Sequence, residues 1–212
     1  MNKKELVKNL TTIKEINTQL ALGTIQNYHI DTLVSSRKIN PDLLREIYKN
    51  LDKYVYSNSE YSSTSGLLHT IMTNPKCPTD IIMNVWNKPV TRSGRYPSIG
   101  WIGKCLAVRH PNFDTTLIDD LIKNIDYYTP IPLGESLMMN PNLTDTQYQT
   151  LFLSDWELTE KASRLKRTTL TQLKIILINC MQSIHYDMEI VTKIRRNVLD
   201  RLLSLNKLKI IE

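Results

Sequence analysis

At 212 residues, with 41% apolar and 23% charged side chains, the chain is long enough to bury a core and too apolar to stay disordered. Six Gly and nine Pro exclude collagen-like and low-complexity classes. Three widely spaced cysteines, Cys77, Cys105 and Cys180, exclude a disulfide framework, a four-cysteine zinc site and an iron–sulfur cluster, and are expected as small buried hydrophobes. The net charge is +6. Only three residues are Ala (Ala21, Ala107, Ala162), although Ala is the best helix former. That scarcity points to an AT-rich coding genome, and so to a phage, a virus or an AT-rich bacterium as the source.

Read in chain order, residues 2–22 and 24–35 are predicted helices, with Asn2 as a cap and Gly23 as a break. The basic start MNKKELVKNLTTIKE is followed by no apolar run. The most apolar stretch, Leu173 to Ile178, holds a Lys and falls far short of the roughly 20 residues that span a bilayer. A soluble cytoplasmic protein is expected, in the host cytoplasm if the source is viral. Residues 41–55 continue the first repeat described below, and 54–65 (YVYSNSEYSSTS) form a polar loop. Residues 86–104 form a second, longer loop. The predicted elements then continue as helices 156–165, 169–183 and 187–205, the last an end cap rich in Arg and Leu.

Between these ends the chain repeats. LVSSRKINPDLLREI (33–47), IMTNPKCPTDIIMNV (71–85), AVRHPNFDTTLIDDL (107–121), LMMNPNLTDTQYQTL (137–151) and ASRLKRTTLTQLKII (162–176) align without gaps. The fourth column reads Ser36, Asn74, His110, Asn140, Leu165, and the fifth has Pro75, Pro111 and Pro141. A helix is expected to end there, because Asn tolerates the left-handed conformation and Pro cannot continue a helix. The seventh column (Ile39, Cys77, Phe113, Leu143, Thr168) buries the connection. The eighth (Asn40, Asp114, Thr144, Thr169) caps the next helix, and Pro78 or Thr79 opens it in the second unit. Apolar residues four and seven places later make one helical face.

The strings TIMTNPKCPTDIIMNVW, LAVRHPNFDTTLIDDLI and LMMNPNLTDTQYQTLF resemble the variant leucine-rich repeat, a HEAT-like α-solenoid unit. The resemblance covers three units clearly, 33–47 in part and 162–176 weakly. The repeat length is irregular here, and the cysteine cluster that binds iron–sulfur in one branch of that family is absent. The expected fold is therefore all-α: a single domain over 1–212, a right-handed α-solenoid of about five helix-turn-helix repeats (33–183) between helical caps (1–32 and 184–212).

Charge is uneven along the chain. Residues 1–60 carry 9 basic and 7 acidic side chains, 61–113 carry 6 and 1, 114–160 carry 1 and 9, and 161–212 carry 11 and 4. The acidic block between basic blocks opposes a simple DNA-wrapping groove, which needs one sign throughout. Catalytic motifs are missing: no P-loop, G-x-G-x-x-G or G-x-S-x-G is present, and His29, His69, His110 and His185 share no metal-ligand spacing. Asp119 and Asp120 are adjacent on a helix and do not face one site.

The expectation is a non-enzymatic protein–protein interaction module without cofactor or metal, an accessory phage or viral protein acting on a host or assembly partner. Candidate contacts with that partner are Arg92, Arg95, Tyr96, Trp101 and Lys104 in the long loop, where Arg mixes with aromatics. The rival is a nucleic-acid binder using Arg164, Lys166, Arg167, Lys174, Arg195 and Arg196, with Arg201 in the same basic set. A remote third is a base-excision glycosylase built around Trp101 and Asp114. Each candidate residue also has a plain reading: Trp86 and Trp101 as helix-core residues, and the basic set as a solvated helix surface.

Overall fold

The computed structural model describes residues 9–26, 28–54, 63–89, 99–124, 131–182 and 188–209. Among the described residues there are twelve α-helices, two 3₁₀ turns and no strand. In order they are α1 (Ile13–Ala21), α2 (Tyr28–Val34), α3 (Pro41–Lys49), α4 (Ser63–Thr73), α5 (Thr79–Asn87), α6 (Ile99–Arg109), α7 (Ile118–Lys123), α8 (Ile131–Met138), α9 (Asp145–Leu153), α10 (Trp156–Arg164), α11 (Leu170–Gln182) and α12 (Met188–Lys209). The 3₁₀ turns are Leu51–Tyr54 and Thr115–Leu117.

Local chemistry explains the helix starts. Thr12 caps α1 in a capping box with Glu15, and Thr144 caps α9 in one with Gln147. Thr169 and Gln172 exchange the same two bonds at the start of α11. Asn40 accepts from the Asp42 amide before α3, and Asp155 from the Glu157 amide before α10. The sequence expectation of a helix beginning near Asn2 is corrected in the part that is described, because residues 9–12 are not helical and Thr12 supplies the cap. Gly23 ends α1 at φ +66°, where a side chain would be strained. Asp114 precedes a 3₁₀ turn rather than capping α7 directly. Both expected loops are shorter than read: α4 already begins at Ser63, and α6 at Ile99.

The described residues form two compact units, Met1–Asp114 and Thr115–Glu212. In the first, α2 packs on α4 and α4 on α6, while α3 packs on α1 and α4, and α5 on α6. In the second, α8 packs on α10 and α10 on α12. There α9 touches α7, α8 and α10, and α11 touches α10 and α12. The aligned columns supply much of the core, beside residues such as Ile16, Ile30, Leu158 and Ile194 outside them. Columns one and two are buried in all five segments (Leu33/Val34, Ile71/Met72, Ala107/Val108, Leu137/Met138, Ala162/Ser163), as are columns seven and twelve.

The five turns share one backbone pattern. The fourth-column amide donates to the first-column carbonyl in every case: Ser36 to Leu33, Asn74 to Ile71, His110 to Ala107, Asn140 to Leu137, Leu165 to Ala162. The seventh-column amide donates to the fourth-column carbonyl, from Ile39, Cys77, Phe113, Leu143 and Thr168. The expected left-handed cap is corrected: no described non-glycine residue has positive φ. In four of the five turns the fourth residue acts through its side chain, the fifth having Leu165 there. Ser36 Oγ, Asn74 Oδ1, His110 Nδ1 and Asn140 Oδ1 each accept from the amide two residues on, at 3.2, 2.9, 2.9 and 2.8 Å. Asn, His and Ser are alike in offering an acceptor at that distance.

Candidate functional site

The polar side chains of the turns also reach from one turn to the turn before. Asn74 Nδ2 donates to the carbonyls of Val34 and Ser36, and His110 Nε2 donates to Asn74 O at 2.9 Å. Since Nδ1 accepts from the Asn112 amide, the imidazole is neutral and carries its proton on Nε2. Burial holds its pKa below the usual histidine range, against the opposing pull of the Asn74 carbonyl. Asn112 Nδ2 bonds Cys77 O at 2.9 Å. Those contacts tie the turns at 36, 74 and 110 side by side within the first unit.

In the second unit arginine takes over this role. Arg167 donates to Met138 O, Asn140 O and Leu143 O, at 3.0, 2.8 and 3.2 Å, and its guanidinium lies 4.5 Å over the Tyr148 ring. These carbonyls belong to columns two, four and seven. Arg201, from α12, donates to Ser163 O, Leu165 O and Thr168 O, at 3.3, 2.7 and 3.1 Å. They are the same three columns of the next segment. A rigid fork with several donors can bridge three acceptors where a single ammonium cannot. Tyr148 Oη and Thr168 Oγ1, both buried, lie 2.8 Å apart, and Thr168 Oγ1 also donates to Ala162 O at 2.6 Å.

The residues proposed from sequence separate into distinct groups. Arg92, Arg95 and Tyr96 lie outside the described residues. Trp101 is half-buried in α6. Lys104 Nζ donates to Trp86 O at 2.6 Å and lies 4.5 Å over the Trp86 ring, which meets Phe113 edge-on at 5.5 Å. Burial lowers the Lys104 pKa. Lys104 therefore satisfies a carbonyl at the end of α5 and packs on an aromatic pair. Of the basic set, Arg167 is committed to the turn, and Arg195 Nη2 donates to Cys180 O at 2.5 Å. Arg164 pairs with Glu160, which Lys193 also approaches at 3.3 Å. Lys166, Lys174 and Arg196 are exposed and make no ion pair with a described residue.

The other reactive side chains are engaged in packing. Burial pushes the Cys77 thiol up to about 12 and raises that of Cys180. Asp119 accepts from Gln147 Nε2 at 2.7 Å, across α7 and α9. Among the described residues, no cluster of His, Cys, Asp and Glu could hold a metal ion, and no helix is long and apolar enough to cross a membrane.

One surface was not legible from motifs. On α12, Met188, Leu199 and Leu203 are 62, 49 and 59% exposed, and on α11 Ile178 and Met181 are 52 and 68% exposed. The bond from Arg195 to Cys180 brings the Leu199 flank of α12 beside the end of α11 that carries these two residues. Arg196 and Lys174 share the exposed sides of the same helices. Compared with known proteins, the chain matches no family model, no curated protein and no solved structure.

Proposed function

We propose that the chain is a non-catalytic protein-binding module of the HEAT-like, variant leucine-rich repeat kind. On this reading the paired helices of each unit stack as repeats of an α-solenoid. The shared hydrogen-bond pattern of the five turns supports the repeat. One observation carries the binding role: the exposed apolar side chains of α11 and α12, with Lys174 and Arg196 beside them. Exposed apolar side chains on two packed helices, with Lys174 and Arg196 exposed on the same helices, are the features of a protein contact. A partner helix with an apolar stripe and acidic borders would fit it. The composition suits an accessory protein of a phage or virus that acts in the host cytoplasm on a host or assembly factor.

The test is affinity capture from host lysate after nuclease treatment, comparing the native chain with the Leu199→Glu/Leu203→Glu variant. Both side chains are about half exposed or more, so the variant keeps its fold and melting temperature. The reading expects a protein partner that the variant loses. A partner retained equally by the variant, or no partner at all, contradicts it. Arg92→Glu/Arg95→Glu provides the parallel test of the long loop.

A further inference from the structure

The whole net charge belongs to the first unit. Residues 1–114 carry 15 Lys and Arg against 9 Asp and Glu, whereas residues 115–212 carry 12 against 12. Part of that excess is collected on one edge. The turns at 36, 74 and 110 are joined side by side through Asn74, His110 and Asn112. Their exposed positions carry Arg37 and Lys38, then Lys76, then Arg109. None of the four makes an ion pair with a described residue. No carboxylate occurs in columns one to seven of these segments (33–39, 71–77 and 107–113), and Asp114 follows the third turn directly. After the first two turns the nearest acids, Asp42 and Asp80, are both held by Arg45, at 2.6 and 2.9 Å.

We propose that this turn edge binds the phosphate backbone of a nucleic-acid duplex, without reading its sequence. The edge offers charge and little else. Ser35 Oγ donates to Thr32 O, Ser36 Oγ receives the Lys38 amide, and Thr73 Oγ1 donates to His69 O, so the neutral hydroxyls are turned back onto the backbone. The amides of Lys76 and Asn112 are likewise taken. No aromatic side chain is exposed in these turns, so no base can stack there as single strands require. Pro75 and Pro111 are the exposed apolar residues, which gives an acidic peptide no large anchor. Packed helices lie roughly 8–10 Å apart, so three rungs cover about 20 Å, a length along which a duplex offers many phosphates. These residues differ from the basic set in the second unit, and the inference does not depend on the protein-binding reading.

The experiment measures binding of a mixed-sequence DNA duplex by fluorescence anisotropy across a salt series. Four phosphate contacts imply a slope of log K against log salt of about −3.6, and about a hundredfold loss of affinity between roughly 50 and 200 mM salt. The quadruple variant Arg37→Ala/Lys38→Ala/Lys76→Ala/Arg109→Ala should lose most of that slope with its melting curve unchanged. The variant Lys166→Ala/Lys174→Ala/Arg196→Ala should keep it, and poly-glutamate should compete poorly. Absence of binding at about 50 mM salt overturns the proposal. So does an unchanged slope in the quadruple variant, an equal loss in the second-unit variant, or equal competition by poly-glutamate.

Discussion

His110 occupies a column in which two other segments place Asn, and the substitution has a consequence for pH. Its imidazole must be neutral to accept from the Asn112 amide, and burial lowers its pKa. The unfolded chain therefore takes up the proton first. The contribution of this group is whole above the ordinary histidine pKa of about 6.5 and is lost as pH falls below it. The expected outcome is a melting temperature that drops more between pH 7 and pH 5 in the native chain than in His110→Asn, where an amide makes both bonds without titrating. His110→Ala leaves the buried Asn74 carbonyl and the Asn112 amide unmatched and should cost about 1–3 kcal/mol at neutral pH, and less as pH falls. The column was legible in the sequence. Its mechanism was not, because a cap by backbone conformation and a cap by a side-chain acceptor favour the same residues.

Arg167 and Arg201 show the opposite failure. In the sequence they read as surface charge, since nothing local marks which cations meet carbonyls of a segment some 24–38 residues away. Arg201→Lys replaces a fork bonded to three carbonyls with one ammonium. Chemical denaturation should report a loss of about 2–3 kcal/mol, and Arg196→Lys, on the exposed side of the same helix, no more than about 0.5 kcal/mol. Equal effects would show that the Arg201 bonds carry no weight.

At the scale of the element, most helices were readable because cap, Pro and apolar spacing agree. Boundaries failed where those signals are absent. Nothing in the Ser- and Tyr-rich stretch announces that α4 starts at Ser63, and nothing in the Gly- and Pro-containing stretch that α6 starts at Ile99. Glycines inside helices are likewise ambiguous until their neighbours are known. A methyl group on Gly103 would meet Val85 Cγ1 at 2.8 Å, and one on Gly134 would meet Leu158 at 3.0 Å, whereas Gly66 has nothing within 4 Å. These contacts set how closely α6 approaches α5 and α8 approaches α10. Thermal denaturation should show Gly103→Ala and Gly134→Ala destabilising by about 1–3 kcal/mol. Gly66→Ala should stabilise by about 0.5–1 kcal/mol, the ordinary gain of Ala over Gly in a helix.

For the molecule as a whole, the shared turn was the most legible feature and the exposed apolar and basic surfaces the least. An alignment of five segments foretold the buried columns and the turns, since each column has one steric or hydrogen-bonding task. The exposed apolar residues of α11 and α12 carry no such signal, because their sequence spacing also suits a buried face. Charge was visible only in blocks. The edge formed by Arg37, Lys38, Lys76 and Arg109 exists because three turns distant in sequence are bonded side by side. The central claim, one turn built again and again from the same bonds, is open to a direct measurement. Native-state amide hydrogen exchange, read residue by residue, should find the Lys76, Asn112 and Asn142 amides protected like the flanking helices, although their residues lie in turns. Each donates to a buried side chain two positions earlier. Exchange of these three amides at the rate of an unstructured chain would contradict the account.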